Sequence, residues 1–266
     1  LYLYQKDYVK SLQFADAVIN SNIYMLNASY DTEFTLDGNN SKESILEVQK
    51  TYDFPKKYSN NFFESQGVRG SGEWDLGWGF NVPSTGLVDA YEPGDLRKKT
   101  TILTSGGPDI YNTPGFTLPD SPPLAQKYWN GKAYTRPSER QKYATGKNYW
   151  ENIKLMRYAD VILIAAEAAN ELGQTATAAN HLNKIRTRAG LANTSAADQG
   201  SMRIAIKQER RVEFGMEFER FYDLVRWQDA TTVLAPLGYT DRNKYFPIPQ
   251  GAIDKSQGVL IQNPNY

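Results

Sequence analysis

Residues 206–227, IKQERRVEFGMEFERFYDLVRW, decide how this chain is read. Arg210 and Arg211 stand between Glu209 and Glu213. Glu217, Glu219, Arg220, Asp223 and Arg226 follow, with Phe214, Phe218, Phe221, Tyr222 and Trp227 interleaved. Such a density of charge and rings suits a reaction centre, a nucleic-acid surface or scaffold. The whole chain weighs against nucleic acid: 30 Lys+Arg balance 30 Asp+Glu, which leaves no basic excess for phosphate. Glu209 and Glu213 lie one helical turn apart, and a functional reading makes them a general acid and base. Neighbouring guanidiniums are expected to keep both ionised with low pKa values, which is wrong for a general acid. The expectation is scaffold, with Arg–Glu pairs among packed rings orienting helices in a core.

Composition sets the outer limits. At 266 residues and 40% hydrophobic content, the chain can bury a real core as one large domain or two small ones. Cysteine is absent and His181 is the sole histidine, which excludes disulfides, thiolate chemistry and a multi-histidine or cysteine metal site. No cofactor is expected. No run reaches the ~18 apolar residues of a membrane span. The opening LYLYQKDYVK has neither an initiator Met nor a signal-peptide layout, so we expect the chain to start part-way through a longer protein.

Working outward from the opening stretch, the spacing predicts a third helix from Asp198 or Ser201 to Glu213, loosened at Gly215. Before it, Leu155, Ala159, Ile162, Ala166, Ala169 and Gly173 form a stripe of mostly small residues. A second helix is expected from Thr175 to Ala189, stopped at Gly190. Together they read as one tetratricopeptide-type hairpin, whose apolar faces need stacked neighbours. Tyr4, Tyr8, Leu12, Ala15 and Ile19 predict an N-terminal amphipathic helix, and 43–50 (ESILEVQK) a short strand. From Lys56 to Lys147 no long helical period survives; so long an irregular region in a compact domain is functional or disordered. LDGNNSKE (36–43) offers Asp37, Asn39 and Glu43 as oxygen donors without EF-hand spacing, and is read as a turn. His181, with no carboxylate beside it in sequence, is read as a satisfied structural histidine.

The opening stretch also resembles the motif of the SusD/RagB family: Glu-Arg-Arg, a spacer, Arg, two aromatic or apolar residues, Asp-Leu, then Arg-Trp. RYADVILIAAEAANELG (157–173) and LNKIRTRAGL (182–191) resemble that family's preceding helical pair. KYFPIPQGAID (244–254) resembles its Pro-Ile-Pro segment and QNPNY (262–266) its tail. FADAVINSNIYML (14–26), ESILEVQ and NVPSTGLVDAYEPGDLRKKTTI (81–102) resemble its middle section. The resemblance implies a mainly α, SusD-like fold of tetratricopeptide-type hairpins plus a long irregular loop region with a few short strands. It implies one domain over 1–266, N-terminally incomplete, with a loop-rich ligand region at 56–147 and a helical scaffold at 150–228. It further implies a non-enzymatic nutrient-binding protein on the outer-membrane surface that presents oligosaccharide or another nutrient to a SusC-type TonB-dependent transporter. Its only tie to the membrane would be an N-terminal lipid anchor absent from these residues.

A glycan binder needs flat rings for pyranose C–H faces and polar side chains for hydroxyls. RGSGEWDLGWGFN (69–81) supplies Trp74, Trp78 and Phe80 among glycines, with Arg69 and Asn81 as hydrogen-bonding neighbours. QKYWNGKAY (126–134) supplies Tyr128, Trp129, Asn130 and Tyr134. Two readings stand for the first segment, because Trp74, Leu76, Trp78 and Phe80 alternate and could all face a core from a strand. Trp129, flanked by Lys127, Asn130 and Gly131, is expected to be exposed. Trp150 and Trp227 are expected to be structural, and Tyr111 is a weaker ligand candidate. Two other functions share these features. Glu73 and Asp75 could be the carboxylate pair of a glycoside hydrolase, and the helical hairpin could be a protein-interaction module.

Overall fold

The computed structural model describes residues 1–52 and 61–266, so the first residues of the expected irregular region, 56–60, lie outside the described residues. The fold is mainly α. The helices are α1 (Tyr8–Asn20), α2 (Thr85–Val88), α3 (Arg97–Thr101), α4 (Pro137–Tyr143), α5 (Tyr158–Glu171), α6 (Thr175–Arg188), α7 (Gln199–Glu213), α8 (Glu219–Arg226), α9 (Ala230–Val233) and α10 (Gln250–Lys255). The strands are β1 (Ser44–Val48), β2 (Ile102–Thr104), β3 (Tyr128–Asn130) and β4 (Ile153–Arg157). β1 pairs antiparallel with β4, and β2 with β3. The chain divides into two compact units, Leu1–Met216 and Glu217–Tyr266.

In the first unit α5 and α6 form the expected hairpin, turned at Gly173 in the left-handed region. Ala159, Ile162, Ala166 and Ala169 are almost wholly buried, and with Leu182, Ile185, Met202 and Ile206 they make a core that α1 joins through Leu12 and Ala15. Alanines at these positions let helix axes approach closely, which concentrates dispersion contacts. Leu155 does not continue the stripe. It is an exposed residue of β4, at the irregularity where the register with β1 shifts between Leu46 and Glu47, and the change from period two to period 3.6 falls at Arg157. Asp198 caps α7 as expected, accepting from the backbone N–H groups of Gly200 and Ser201.

A buried ion network fastens these elements. Glu213, at the last turn of α7, pairs with Arg157 at 3.0 Å, with Arg97 at 3.1 Å and with Arg188. Glu43 pairs with Arg157 at 2.7 Å and Arg188 at 2.8 Å. Glu209 pairs with Arg97 at 2.6 Å and Arg186 at 3.2 Å. The scaffold reading holds, but the partners are not the neighbours expected from the stretch itself; Arg210, for example, pairs with Asp160 at 2.6 Å. Burial would push the Glu213 carboxyl up, yet Arg188, Arg157 and Arg97 more than reverse this and hold it well below the usual range. Glu209 corrects the expectation that both carboxyls sit low: burial outweighs its arginines and raises its pKa.

The minor expectations resolve similarly. Glu43 is consumed by its arginines, and Asp37 is exposed, 3.9 Å from Arg136, so the 36–43 donors do not converge. His181 has a carboxylate neighbour after all, Asp16 at 3.6 Å, while its buried Nδ1 has no hydrogen-bond partner among the described residues. Trp150 is buried and stacks on Tyr143 at 4.3 Å; Trp227, in the second unit, is half-buried beneath the Arg226 guanidinium at 4.6 Å. In that unit the Pro-Ile-Pro segment is held by Gln262, whose amide donates to the Ile248 carbonyl at 2.9 Å and accepts from its N–H at 2.8 Å.

Glu151, buried just before β4, supplies a pH test. Burial pushes its carboxyl up to about 8, the nearby Glu139 adds to the rise, and Asn148, Lys154 and Lys50 oppose it. A folded pKa above the unfolded value means that folding favours the protonated acid. The resulting penalty is absent below pH ~4.5 and grows as pH rises toward 8. Glu151→Gln is therefore expected to gain stability over wild type progressively from pH 5 to 8. A stability difference that stays flat across that range in chemical denaturation would refute this origin for the shift.

Candidate functional site

The irregular segment 63–81 folds back on itself through backbone hydrogen bonds. The N–H groups of Leu76 and Gly77 donate to the Val68 carbonyl at 3.0 and 2.8 Å, Trp78 donates to Glu64 at 2.9 Å, Gly79 to Gly67 at 3.0 Å and Phe80 to Ser65 at 2.9 Å. Two glycines make this crossing possible. A Cβ at Gly77 would lie 2.0 Å from the Glu64 carbonyl oxygen, and one at Gly67 would lie 2.3 Å from that of Leu76. Gly77→Ala is expected to cost about 1–3 kcal/mol of stability through overpacking; an unchanged thermal midpoint would show that the crossing relaxes cheaply.

The crossing also reverses the facing of the rings. Trp74 and Leu76 point inward at 5% and 3% exposure, whereas Trp78 and Phe80 stand outward at 43% and 61%. Both readings of the segment are thus half right. The left-handed Gly79, at φ +75°, is where the outward pair is set. Trp78 and Phe80 meet edge to face with centroids 6.3 Å apart. Behind Gly79, a Cβ would meet the Arg69 Cβ at 3.0 Å and the Trp129 ring at 3.1 Å. The exposed Arg69 and the buried Trp129 therefore both pack against Gly79, the residue between the two outward rings. Asn81 continues the segment, donating to the Gln66 side-chain carbonyl at 2.7 Å.

The second nominated segment behaves differently. Trp129 is not exposed: it is 1% accessible and paired opposite Leu103, and its indole N–H donates to the Ser105 hydroxyl at 2.9 Å. Asn130 is buried and donates to Gln66 at 3.0 Å, so one amide carbonyl ties Asn130 and Asn81 together. Tyr134 is also buried, with its hydroxyl donating to Asp109 at 2.9 Å and its ring stacked on Trp74 at 6.3 Å. Burial pushes the Tyr134 phenol far above its ordinary range. Tyr111 is half-buried, with the Arg136 guanidinium 4.4 Å over its ring. These residues support the site from within. Tyr128 is half-buried and lines a separate cavity.

The structure therefore brings Arg69, Trp78, Phe80 and Asn81 together at the surface, over a buried raft of Trp74, Trp129 and Tyr134. An exposed ring pair flanked by a guanidinium and an amide offers dispersion to a flat C–H face and hydrogen bonds to hydroxyls around it. Glu73 and Asp75 are exposed and line a hollow of about 360 Å³, where Lys147 holds Asp75 at 2.7 Å. Sequence reasoning missed Gln66, whose carbonyl bridges the two nominated segments; its only sequence signal is its place just ahead of the glycine run.

A sequence model of the SusD family matches residues 36–236. The chain is 27% identical over 301 residues to SusD-like protein P2 of Formosa agariphila, covering 100% of this chain and 57% of that protein. A SusD-like protein of Bacteroides ovatus is 28% identical over 229 residues, covering 81% of this chain and 40% of the relative. Among solved structures, surface glycan-binding protein A from Bacteroides thetaiotaomicron in complex with laminarihexaose superposes with a TM-score of 0.77 at 26% identity, covering 100% of this chain and 62% of that one. A laminarin-binding SusD-like protein gives 0.78 at 28% identity, with 100% and 60% coverage. The chain thus spans roughly three-fifths of the length of SusD-like protein P2 and of these two solved structures.

Proposed function

This chain belongs to the SusD family, and from that premise we propose that it is part of a non-enzymatic cell-surface glycan-binding protein. In this reading it holds oligosaccharide on the Trp78–Phe80 pair and passes it to a SusC-type TonB-dependent transporter in the outer membrane. The observation that carries the reading is the exposed ring pair on a glycine-built crossing, with Arg69 and Asn81 at its margin. Rings held rigidly before ligand arrives lose little side-chain freedom on binding, so their contact area converts efficiently into affinity. The laminarihexaose complex of a similar protein makes β-glucan oligosaccharides the first probe.

The test is a titration of the protein with laminarihexaose and a panel of other neutral oligosaccharides, followed by tryptophan emission and calorimetry. Saturable binding with a change in emission is expected for at least one glycan. A flat response across the panel from folded protein would overturn the reading. Transport partnership is tested separately by co-purification with a SusC-type transporter.

A further inference from the structure

A second cavity, of about 570 Å³, lies in the first unit between the 88–112 segment and β3. Its walls include Val88, Ile102, Ile110 and the ring of Tyr128, and Lys98 and Lys99 stand on its rim. Its size suits a single sugar unit. Asp95 and Asp109 also line it, but both carboxylates are already engaged. Asp95 accepts from the Arg97 guanidinium at 2.7 and 2.9 Å, and Asp109 accepts from the Tyr134 hydroxyl and from the backbone N–H groups of Tyr111 and Thr113. Lys98 is half-buried and Lys99 exposed, and among the described residues neither ammonium has a carboxylate partner. The cavity therefore pairs an apolar wall and an aromatic face with two ammonium groups that no carboxylate among the described residues neutralises, while the buried Asp109 turns its carboxylate onto the Tyr134 hydroxyl and two backbone N–H groups.

From this juxtaposition we infer that the cavity is a subsite for an anionic sugar unit, one bearing a carboxylate or a sulfate ester. The C–H face of the unit lies on Tyr128 and the aliphatic wall, and its anionic group is held by Lys98 and Lys99. The subsite is independent of the Trp78–Phe80 pair and would take a different class of residue.

The test titrates the protein with an oligogalacturonate, a sulfated oligosaccharide and laminarihexaose, in wild type, a Lys98→Gln/Lys99→Gln double variant, a Lys99→Glu variant and a Trp78→Ala variant. Saturable binding of at least one anionic saccharide is expected. It should weaken as salt rises and drop roughly tenfold or more in both lysine variants. The oligogalacturonate and sulfated arms tell which anion is held. Lys99 is exposed, so its reversal leaves packing intact and answers for the double variant if that proves unstable. Trp78→Ala should leave anionic binding in place; if laminarihexaose binding fails everywhere while anionic binding persists, the neutral-glycan reading falls and this one stands. No anionic binding by wild type, or binding indifferent to both lysine variants, overturns the subsite.

Discussion

Trp78→Ala is expected to weaken oligosaccharide binding by about 2 kcal/mol or more, roughly thirtyfold in Kd, while leaving the thermal midpoint nearly unchanged. The indole is 43% exposed and its edge-to-face contact is with Phe80, itself at the surface, so its removal opens no internal cavity. Trp129→Ala is the informative contrast. That ring belongs to the buried raft and lies against Gly79, and deleting it should cost about 3–5 kcal/mol of stability. Trp78→Ala with full affinity, beside a Trp129→Ala protein that folds normally yet cannot bind, would invert the assignment of surface and support.

Glu213→Ala is expected to be the most destabilising single change at a charged position, by about 3–5 kcal/mol. Removing this carboxylate leaves Arg97, Arg157 and Arg188 buried with too little negative charge among them. In a unit of this size the loss corresponds to a fall on the order of 10 °C in thermal midpoint. The carboxyl is held below its unfolded range, so its contribution is present above pH ~4.5 and fades as pH falls beneath that value. Wild type should therefore lose stability on acidification more steeply than Glu213→Gln. A loss under about 1 kcal/mol for Glu213→Ala would mean that the arginines find other partners or water.

Local pattern made the helical scaffold legible. The residues of α5, α6 and α7 repeat at helical spacing, and Asp198 and Gly173 punctuate them as their chemistry requires. Leu155 was placed in the wrong element because one strand residue happens to fall on the helical stripe; β4 is identified only by pairing with β1, over a hundred residues away. The same limit hides Arg97, Arg157 and Arg188 as partners of Glu213, since nothing near any of them in sequence reports the others.

At the candidate site the nominated segments were legible, and the facing of their rings was not. Asn130 and Gly131 give Trp129 the look of a surface turn, yet Asn130 is tied to Gln66, and Gly131 abuts the Thr100 carbonyl so closely that a Cβ would lie 2.2 Å from it. In the 69–81 segment the alternation holds until Gly77 and then reverses, because a backbone crossing rather than a strand sets the direction.

The wide sequence separation within the ion network bears on the order of assembly. Glu43 and Glu213 meet through shared arginines at 157 and 188, so the cluster closes only when segments from β1, β4, α6 and α7 have all arrived. Closing such distant contacts carries its entropic cost before any reward. On the ribosome, then, Glu43 and Asp95 emerge early enough to meet Arg157, Arg188 and Arg97, but the carboxylate of Glu213 that joins all three arrives only with α7. That favours a late, concerted locking step over gradual accretion.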